Sequence, residues 1–154
     1  VKIQKFNQIS HIQRLAKIIF FNFIELENEP DIVFNIDDII STLSSNNLLG
    51  WFLLDNNGKI CGYIVGELKE LTDGRYVYYI SYFYLIHKFR SQGLGYKMML
   101  MCLEYITSIN VPFIMLISSV HSKAFKLYKN MGFGFDPIIK INNPNYAVLL
   151  LYTN

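Results

Sequence analysis

Arg90-Ser91-Gln92-Gly93-Leu94-Gly95 follows an aromatic run, Tyr76-Val77-Tyr78-Tyr79-Ile80-Ser81-Tyr82-Phe83-Tyr84-Leu85-Ile86, and precedes a helix-like run from Tyr96 to about Ser108. Two glycines thus stand between a strand and a helix. Glycine has no Cβ to keep a ligand away from the backbone. The start of a helix adds unpaired N–H groups and a partial positive charge. Together these features predict an anion site, most naturally for phosphate, with Arg90 as a cation at its rim.

The composition sets the limits. The chain has 154 residues, 52% hydrophobic and 16% aromatic. That is enough for one domain, 1–154, with a substantial core, and it argues against disorder. The formal net charge is +2, and the Lys and Arg residues are scattered, so no nucleic-acid partner is expected. No apolar run reaches the length of a membrane-spanning helix; the candidates Ile18 to Ile24 and Ala147 to Tyr152 are too short. The start, at Val1, carries no signal-peptide pattern. Cys61 and Cys102 lie in apolar patterns, and the three His are dispersed, so no metal site is expected. A reducing, cytoplasmic compartment is the expectation.

Taken in order, Lys2 to Phe6 reads as a strand. Ser10 with Gln13 resembles a capping box, followed by a helix whose apolar face is Ile12, Leu15, Ala16, Ile19, Phe23 and Leu26. Glu25, Glu27 and Glu29 gather near its end, where they would suit a cationic substrate. Asn35 predicts the cap of a second helix, with Asp37 and Asp38 in its first turn. After Gly50, Trp51 to Leu54 reads as a strand. Asp55-Asn56-Asn57-Gly58 and Thr72-Asp73-Gly74 predict turns on either side of a strand from Lys59 to Leu71, with Gly62 and Gly66 as bulges or close approaches. Arg75 to Leu85 is the next strand. Leu94, Met98, Met101, Tyr105 and Ile106 mark a helix, Pro112 to Ser118 a buried strand, and Ser119 to Met131 a helix closed by Gly132. Phe135 to Ile141 and Tyr146 to Tyr152 are read as a last strand pair joined through Asn142 to Asn145. The order is β-α-α-β-β-β-α-β-α-β-β, a mixed α/β domain. The strands flanking the glycine turn are expected to be parallel neighbours.

Three phosphate-binding designs compete for the glycine turn. A Walker A loop requires Gly-Lys-Ser/Thr, but Gly95 is followed by Tyr96-Lys97-Met98. A dinucleotide fingerprint requires a third glycine where Met98 stands. The Arg-x-x-Gly-x-Gly pattern after a long fourth strand instead resembles the acetyl-CoA loop of the GNAT family of N-acetyltransferases. Ala124-Phe125-Lys126-Leu127-Tyr128, then Gly132-Phe133, matches that family's Ala-x-x-Leu-Tyr-x-x-x-Gly-Phe helix. The resemblance spans nearly the whole chain and is closest in feel to RimI-like protein N-terminal acetyltransferases.

The resemblance implies a central, mostly antiparallel sheet of about seven strands flanked by four helices, and acetyl-CoA as co-substrate without a metal. It implies a bulge in the fourth strand near Leu85, opening a V-shaped gap. Backbone amides around Leu85, Ile86 and His87 are then expected to meet the thioester and pantetheine. Arg90, Ser91, Gln92, Gly93, Leu94, Gly95 and Tyr96 are expected to wrap the pyrophosphate. His121 stands where many relatives have an Asn that contacts pantetheine, and the small Ala124 leaves room for it. Tyr128, on the helix face of Ala124, is the expected proton donor to the leaving thiolate. Many relatives carry Glu at the position of Tyr79; some N-terminal acetyltransferases have Tyr there, acting through a water. Tyr78 points to the other face, Tyr82 is one residue off Tyr79's face, and Glu67 on the neighbouring strand is a further candidate base.

The implied reaction is direct transfer in a ternary complex to a primary amine, with a protein N-terminus or lysine slightly favoured. A polyamine, amino sugar or antibiotic is the alternative acceptor, and a non-catalytic acyl-CoA-binding module the alternative class. Monomer and homodimer both remain open.

Overall fold

The structure, a computed structural model, describes residues 1–26 and 35–154. Glu27 and Glu29 of the acidic cluster, and the side chain of Glu25, lie outside the described residues. The elements are β1 (Lys2–Phe6), α1 (Ile12–Leu26), α2 (Ile36–Leu43), β2 (Leu48–Leu54), β3 (Ile60–Glu70), β4 (Tyr76–Leu85), α3 (Leu94–Ser108), β5 (Phe113–Ser119), α4 (Lys123–Met131), β6 (Gly134–Phe135) and β7 (Tyr146–Tyr152). The strands form one sheet in the order β1-β2-β3-β4-β5-β7-β6. The β4–β5 pair is parallel, as expected across a strand–helix–strand unit, and the other described pairs are antiparallel.

Alternating side chains bury both faces of this sheet. Tyr78, Ile80, Ile114 and Leu116 face α3 and α4, packing against Met98, Cys102, Ile106 and Tyr128. Tyr63, Val65, Tyr82 and Tyr84 pack on the opposite face with Leu15, Ala16 and Ile19 of α1 and Ile39 and Leu43 of α2. A third, smaller cluster joins Val77, Met115, Val148 and Leu150 on that second face, with Tyr79 and Ile141 against it.

The local chemistry of the chain accounts for most boundaries. Asn35 caps α2 by accepting the Asp37 N–H at 2.8 Å. The Asp55–Gly58 turn closes with Gly58 N–H donating to the Asp55 carbonyl at 3.0 Å. Cys61 and Cys102 are free and buried, as their apolar settings predict.

Three expectations are corrected. Helix α1 begins at Ile12, so His11 rather than Ser10 precedes its first residue. Strand β2 begins at Leu48 and runs through Gly50, where a Cβ would collide with the Phe6 ring and the Ile64 carbonyl. The predicted strand from Phe135 to Ile141 stops at Phe135. Pro137 has no N–H to continue a ladder, and the Asp136 carboxylate is drawn inward instead. It accepts two hydrogen bonds from Arg75, at 2.5 and 3.0 Å, and one from the Ile139 N–H at 2.7 Å. Residues 136–145 therefore form an anchored connection without strand structure, longer than the Asn142–Asn145 link read from sequence.

Candidate active site

The site is organised by where β4 leaves β5. Their parallel pairing runs only from Val77 opposite Phe113 to Ile80 opposite Leu116. Strand β4 continues to Leu85 and β5 to Ser119, each held by its other neighbour. The cause is one extra residue. On β3, Val65 pairs with Tyr82 and Gly66 with Ile80, which leaves Ser81 unpaired. A bulge bends its strand and turns the following residues over. The bulge thus sits at Ser81, not near Leu85 as the sequence reading had it. A Cβ on Gly66 would stand 2.5 Å from the Tyr79 carbonyl, so glycine lets the strands stay close there.

The bulge also sorts the tyrosines. Tyr78 lies on the α3/α4 face, its hydroxyl donating to the Leu49 carbonyl at 2.5 Å. Tyr79, Tyr82 and Tyr84 share the α1/α2 face, because Ser81 shifts the alternation between Tyr79 and Tyr82. Phe83 and Leu85 fall on the face of Tyr78.

The open edge of β4 presents backbone groups. The Ile86 N–H donates to the Cys61 carbonyl at 2.9 Å, so Ile86 cannot offer its amide to a ligand, contrary to expectation. By alternation the Leu85 N–H points to the opposite, unpaired edge. The Leu85 carbonyl accepts Arg90 Nε at 2.8 Å, and the guanidinium lies 5.3 Å from the Tyr84 ring centre. His87 begins a single 3-10 turn, His87–Phe89, and its carbonyl accepts the Arg90 N–H at 3.1 Å. Arg90 therefore braces the loop and does not lend it an amide.

The amides from Ser91 to Tyr96 donate to no described group, and the first helical bond runs from the Lys97 N–H to the Gly93 carbonyl at 3.0 Å. Gly93 caps α3 with no side-chain hydrogen bond. Ser91 and Gly93 have left-handed backbones, with φ of 63° and 78°. Such alternation turns successive N–H groups into one concavity, a setting for anions. The strained Ser91 is a feature the sequence did not announce; a non-glycine residue there costs about 1 kcal/mol. A Cβ on Gly95 would stand 3.3 Å from both Leu85 and Phe83. This glycine lets the start of α3 press against the open edge.

Helix α4 supplies the far wall. Ser122 caps it by accepting the Phe125 N–H at 3.2 Å. Ala124 is partly buried, and Tyr128 is buried, its ring 6.2 Å from Phe83 and 5.6 Å from Phe133. Burial raises the Tyr128 hydroxyl well above an ordinary tyrosine, so it stays protonated. It makes no hydrogen bond to a described residue, yet among the described residues no buried side-chain oxygen is orphaned, so the hydroxyl reaches an open edge. Tyr79 is half-buried on the other face, and burial raises its hydroxyl too. The two tyrosines expected to be catalytic thus stand on opposite faces of the sheet, beside the same gap. His121 does not join either. Its Nε2 is 3.1 Å from Asn145 Oδ1, tying the end of β5 to the 136–145 connection.

The arrangement offers a slot between parted strands, an anion cradle at its mouth and a hydroxyl on its wall. A thioester carried by a pyrophosphate-bearing arm suits it. Among the described residues no group of His, Cys, Asp and Glu gathers as a metal site, and no helix is long and apolar enough to cross a membrane.

Comparison with known proteins bears on the same residues. No curated protein matches the chain. Solved structures match over their whole lengths at low identity. NAA60 of Arabidopsis thaliana, in complex with a bisubstrate analogue, is 17% identical with a TM-score of 0.68, covering 98% of this chain and 97% of that one. The ribosomal-protein-S18-alanine N-acetyltransferase of Escherichia coli is 14% identical with a TM-score of 0.73, covering 99% and 94%. A GNAT-family acetyltransferase of Staphylococcus aureus is 13% identical with a TM-score of 0.75, covering 99% and 100%. The model of the acetyltransferase (GNAT) family matches residues 11–133, which include the parted strands, the glycine loop and the Tyr128 helix. The chain belongs to the GNAT acetyltransferase family.

Proposed function

We propose that this chain transfers the acetyl group of acetyl-CoA to a peptide amine, a protein N-terminus or a lysine, by direct attack in a ternary complex. The observation that carries the reading is the gap after Ile80, with free amides at its mouth. The amides of Ser91 to Tyr96 hold the pyrophosphate, aided by the uncapped start of α3. The Leu85 N–H, on the unpaired edge, stabilises the charge that develops on the thioester oxygen. Ala124 leaves room for the arm beside it. His87 and His121 flank the slot rather than fill it, with His121 held by Asn145.

Tyr128 acts on the leaving sulfur. Burial makes its hydroxyl a weaker acid than a thiol, whose ordinary pKa is about 8.5. It therefore works chiefly by donating a hydrogen bond to the sulfur as charge builds. Tyr79 faces the acceptor side. Its raised hydroxyl is neutral near pH 7, so it orients the amine or a water and does not itself act as an anionic base.

A peptide acceptor is supported by a relative of like fold that is named for a protein substrate, the ribosomal-protein-S18-alanine N-acetyltransferase. NAA60, also of like fold, was solved in complex with a bisubstrate analogue. A polyamine, amino sugar or antibiotic is the alternative acceptor. The deciding experiment measures CoA release from acetyl-CoA over peptides with free N-termini, lysine peptides, spermidine and glucosamine. Turnover confined to peptides bears out the proposal. Turnover confined to small amines replaces it. Tight acetyl-CoA binding without turnover on any amine would make the chain a non-catalytic acyl-CoA-binding module.

A further inference from the structure

An alkyl amine is an ammonium ion near neutrality. It cannot attack a carbonyl until a proton leaves. The acceptor face therefore needs a proton acceptor within reach of the gap, and the described residues offer few. The hydroxyls of Tyr79 and Tyr82 are both raised by burial and stay neutral. His121 is on another wall, engaged with Asn145.

Glu67 is different. It sits directly opposite Tyr79 in the β3–β4 ladder, and residues so paired in an antiparallel ladder point to the same face about 5 Å apart. Tyr63 and Val65 precede it at alternate positions on β3, and both are buried against α1 and α2. Glu67 thus ends the row Tyr63, Val65, Glu67, which faces the row Tyr84, Tyr82, Tyr79. Tyr79 is also level with Met115, within the short stretch where β4 and β5 still pair, next to the point of parting. The position is half-buried, and no hydrogen bond or ion pair within the described residues reaches its carboxylate. No buried side-chain oxygen among the described residues lacks a partner, so the Glu67 carboxylate is reached by solvent and is open to an incoming group.

The surroundings suit a cation. The Lys69 ammonium already lies 5.2 Å from the Tyr79 ring centre, which shows that this ring face accepts positive charge. From α2, the charge of Asp38 also reaches the Tyr82 hydroxyl, as that of Glu67 does.

We propose that the Glu67 carboxylate receives the proton of the acceptor ammonium, with Tyr79 beside it guiding the amine into the gap. This rests on the acetyltransferase reading above and adds a residue to it. One N–H proton passes to Glu67 and then to solvent. The freed lone pair forms the C–N bond. The C–S bond breaks, and sulfur leaves with the electron pair, hydrogen-bonded to Tyr128 and protonated to the thiol. The second ammonium proton leaves the new amide nitrogen and balances that protonation. The sum is ammonium plus thioester to amide, thiol and one released proton.

The test is Glu67→Gln, assayed with whichever amine of the panel turns over fastest. The expected result is a fall of about 100-fold in kcat at pH 7, with acetyl-CoA affinity by calorimetry within about twofold of wild type. The rate of the variant is expected to climb with pH as the amine loses its proton unaided, while Glu67→Asp restores part of the pH 7 rate. A kcat within about threefold of wild type, with the same pH profile, overturns the assignment and leaves the acetyltransferase reading intact. Absence of turnover by the wild-type protein on every amine overturns that reading, and this one with it. If Glu67→Gln loses acetyl-CoA binding through misfolding, Glu67→Met, which keeps the stem without the carboxylate, decides: full wild-type kcat and profile refute the role, and a loss of kcat at unchanged acetyl-CoA affinity supports it.

Discussion

Replacing Arg75 by Met tests whether the 136–145 connection is held where the cleft needs it. Arg75 donates to both oxygens of Asp136, whose side chain has no exposed surface, while its own is 13% exposed. Methionine keeps the stem and removes the donors. Asp136 is then left buried with one backbone donor, the Ile139 N–H. Breaking a buried pair costs up to 3–5 kcal/mol; allowing for the partly open Arg75 head, about 2 kcal/mol is expected. For a chain of this length that lowers Tm by about 4–8 °C. The pH dependence is specific. Hydrogen bonds from Arg75 hold the Asp136 carboxyl below its usual value of 3.8. A depressed folded value gives stability that is present above the unfolded value and is lost as pH falls through the folded one. The gap in Tm between wild type and variant is therefore expected to be full at pH 7 and to narrow below about pH 4. Circular dichroism melts across that range measure both. Equal melting temperatures at pH 7 would refute the anchoring argument. A gap that persists undiminished at low pH would show that the Arg75 stem, not its charge, is what matters.

Tyr128→Phe removes one hydrogen bond to a developing charge, so kcat is expected to fall about 100-fold while acetyl-CoA affinity holds; steady-state kinetics with calorimetry separate the two. Gly95→Val drives added methyls into Leu85 and Phe83; it is expected to cost about 1–3 kcal/mol in unfolding free energy and to weaken acetyl-CoA binding in the same titration. Gly93→Ala meets no neighbour but keeps a left-handed φ of 78°; a loss of about 1 kcal/mol in a urea melt is expected. Cys61 and Cys102 are 2% and 0% exposed, with thiols raised by burial. Ellman's reagent is expected to find neither until the protein is unfolded.

The elements and their order were readable because each depends on local chemistry: the Asn35 cap, the Asp55–Gly58 turn, the αL glycine after Met131. What was hidden depends on partners distant in the chain. The end of β6 looked like a strand because Ile138, Ile139 and Ile141 have strand-like side chains. Only Arg75, from another hairpin, shows why Asp136 turns inward. The bulge lies at Ser81 because Val65 and Gly66 of β3 pair with Tyr82 and Ile80 on either side of it, a register that single-strand periodicity cannot express. Ile86 read as a ligand amide because it adjoins the loop, but the parity of its hydrogen bonding aims its N–H at Cys61. The glycine loop was legible as a turn from strand to helix start; the left-handed Ser91 within it was not, since serine carries no sequence signal for that backbone.

One bulge also settles how two reactants can meet without obstructing each other. Before Ser81, Tyr79 belongs to the α1/α2 face; after it, Phe83 and Leu85 belong to the α3/α4 face, where Tyr128 packs. If β4 ran straight, Tyr82 would stand on the face of Tyr128 and Phe83 on that of Tyr79. An aromatic ring from each would then crowd the approach of the other reactant. The extra residue moves Tyr82 and Tyr84 under α1 and leaves the β4–β5 edge open between the faces. In the proposed reaction the donor arm lies along that edge with its sulfur toward Tyr128, and the amine comes from the side of Tyr79 and Glu67. Deleting Ser81 leaves Tyr82 and Phe83 on their present faces but removes the bend that parts β4 from β5 after Ile80, so it is expected to close the gap and abolish transfer even if the chain still folds. Retained turnover in that deletion would mean that the bulge is not what holds the gap open, and the geometry argued from it would fail.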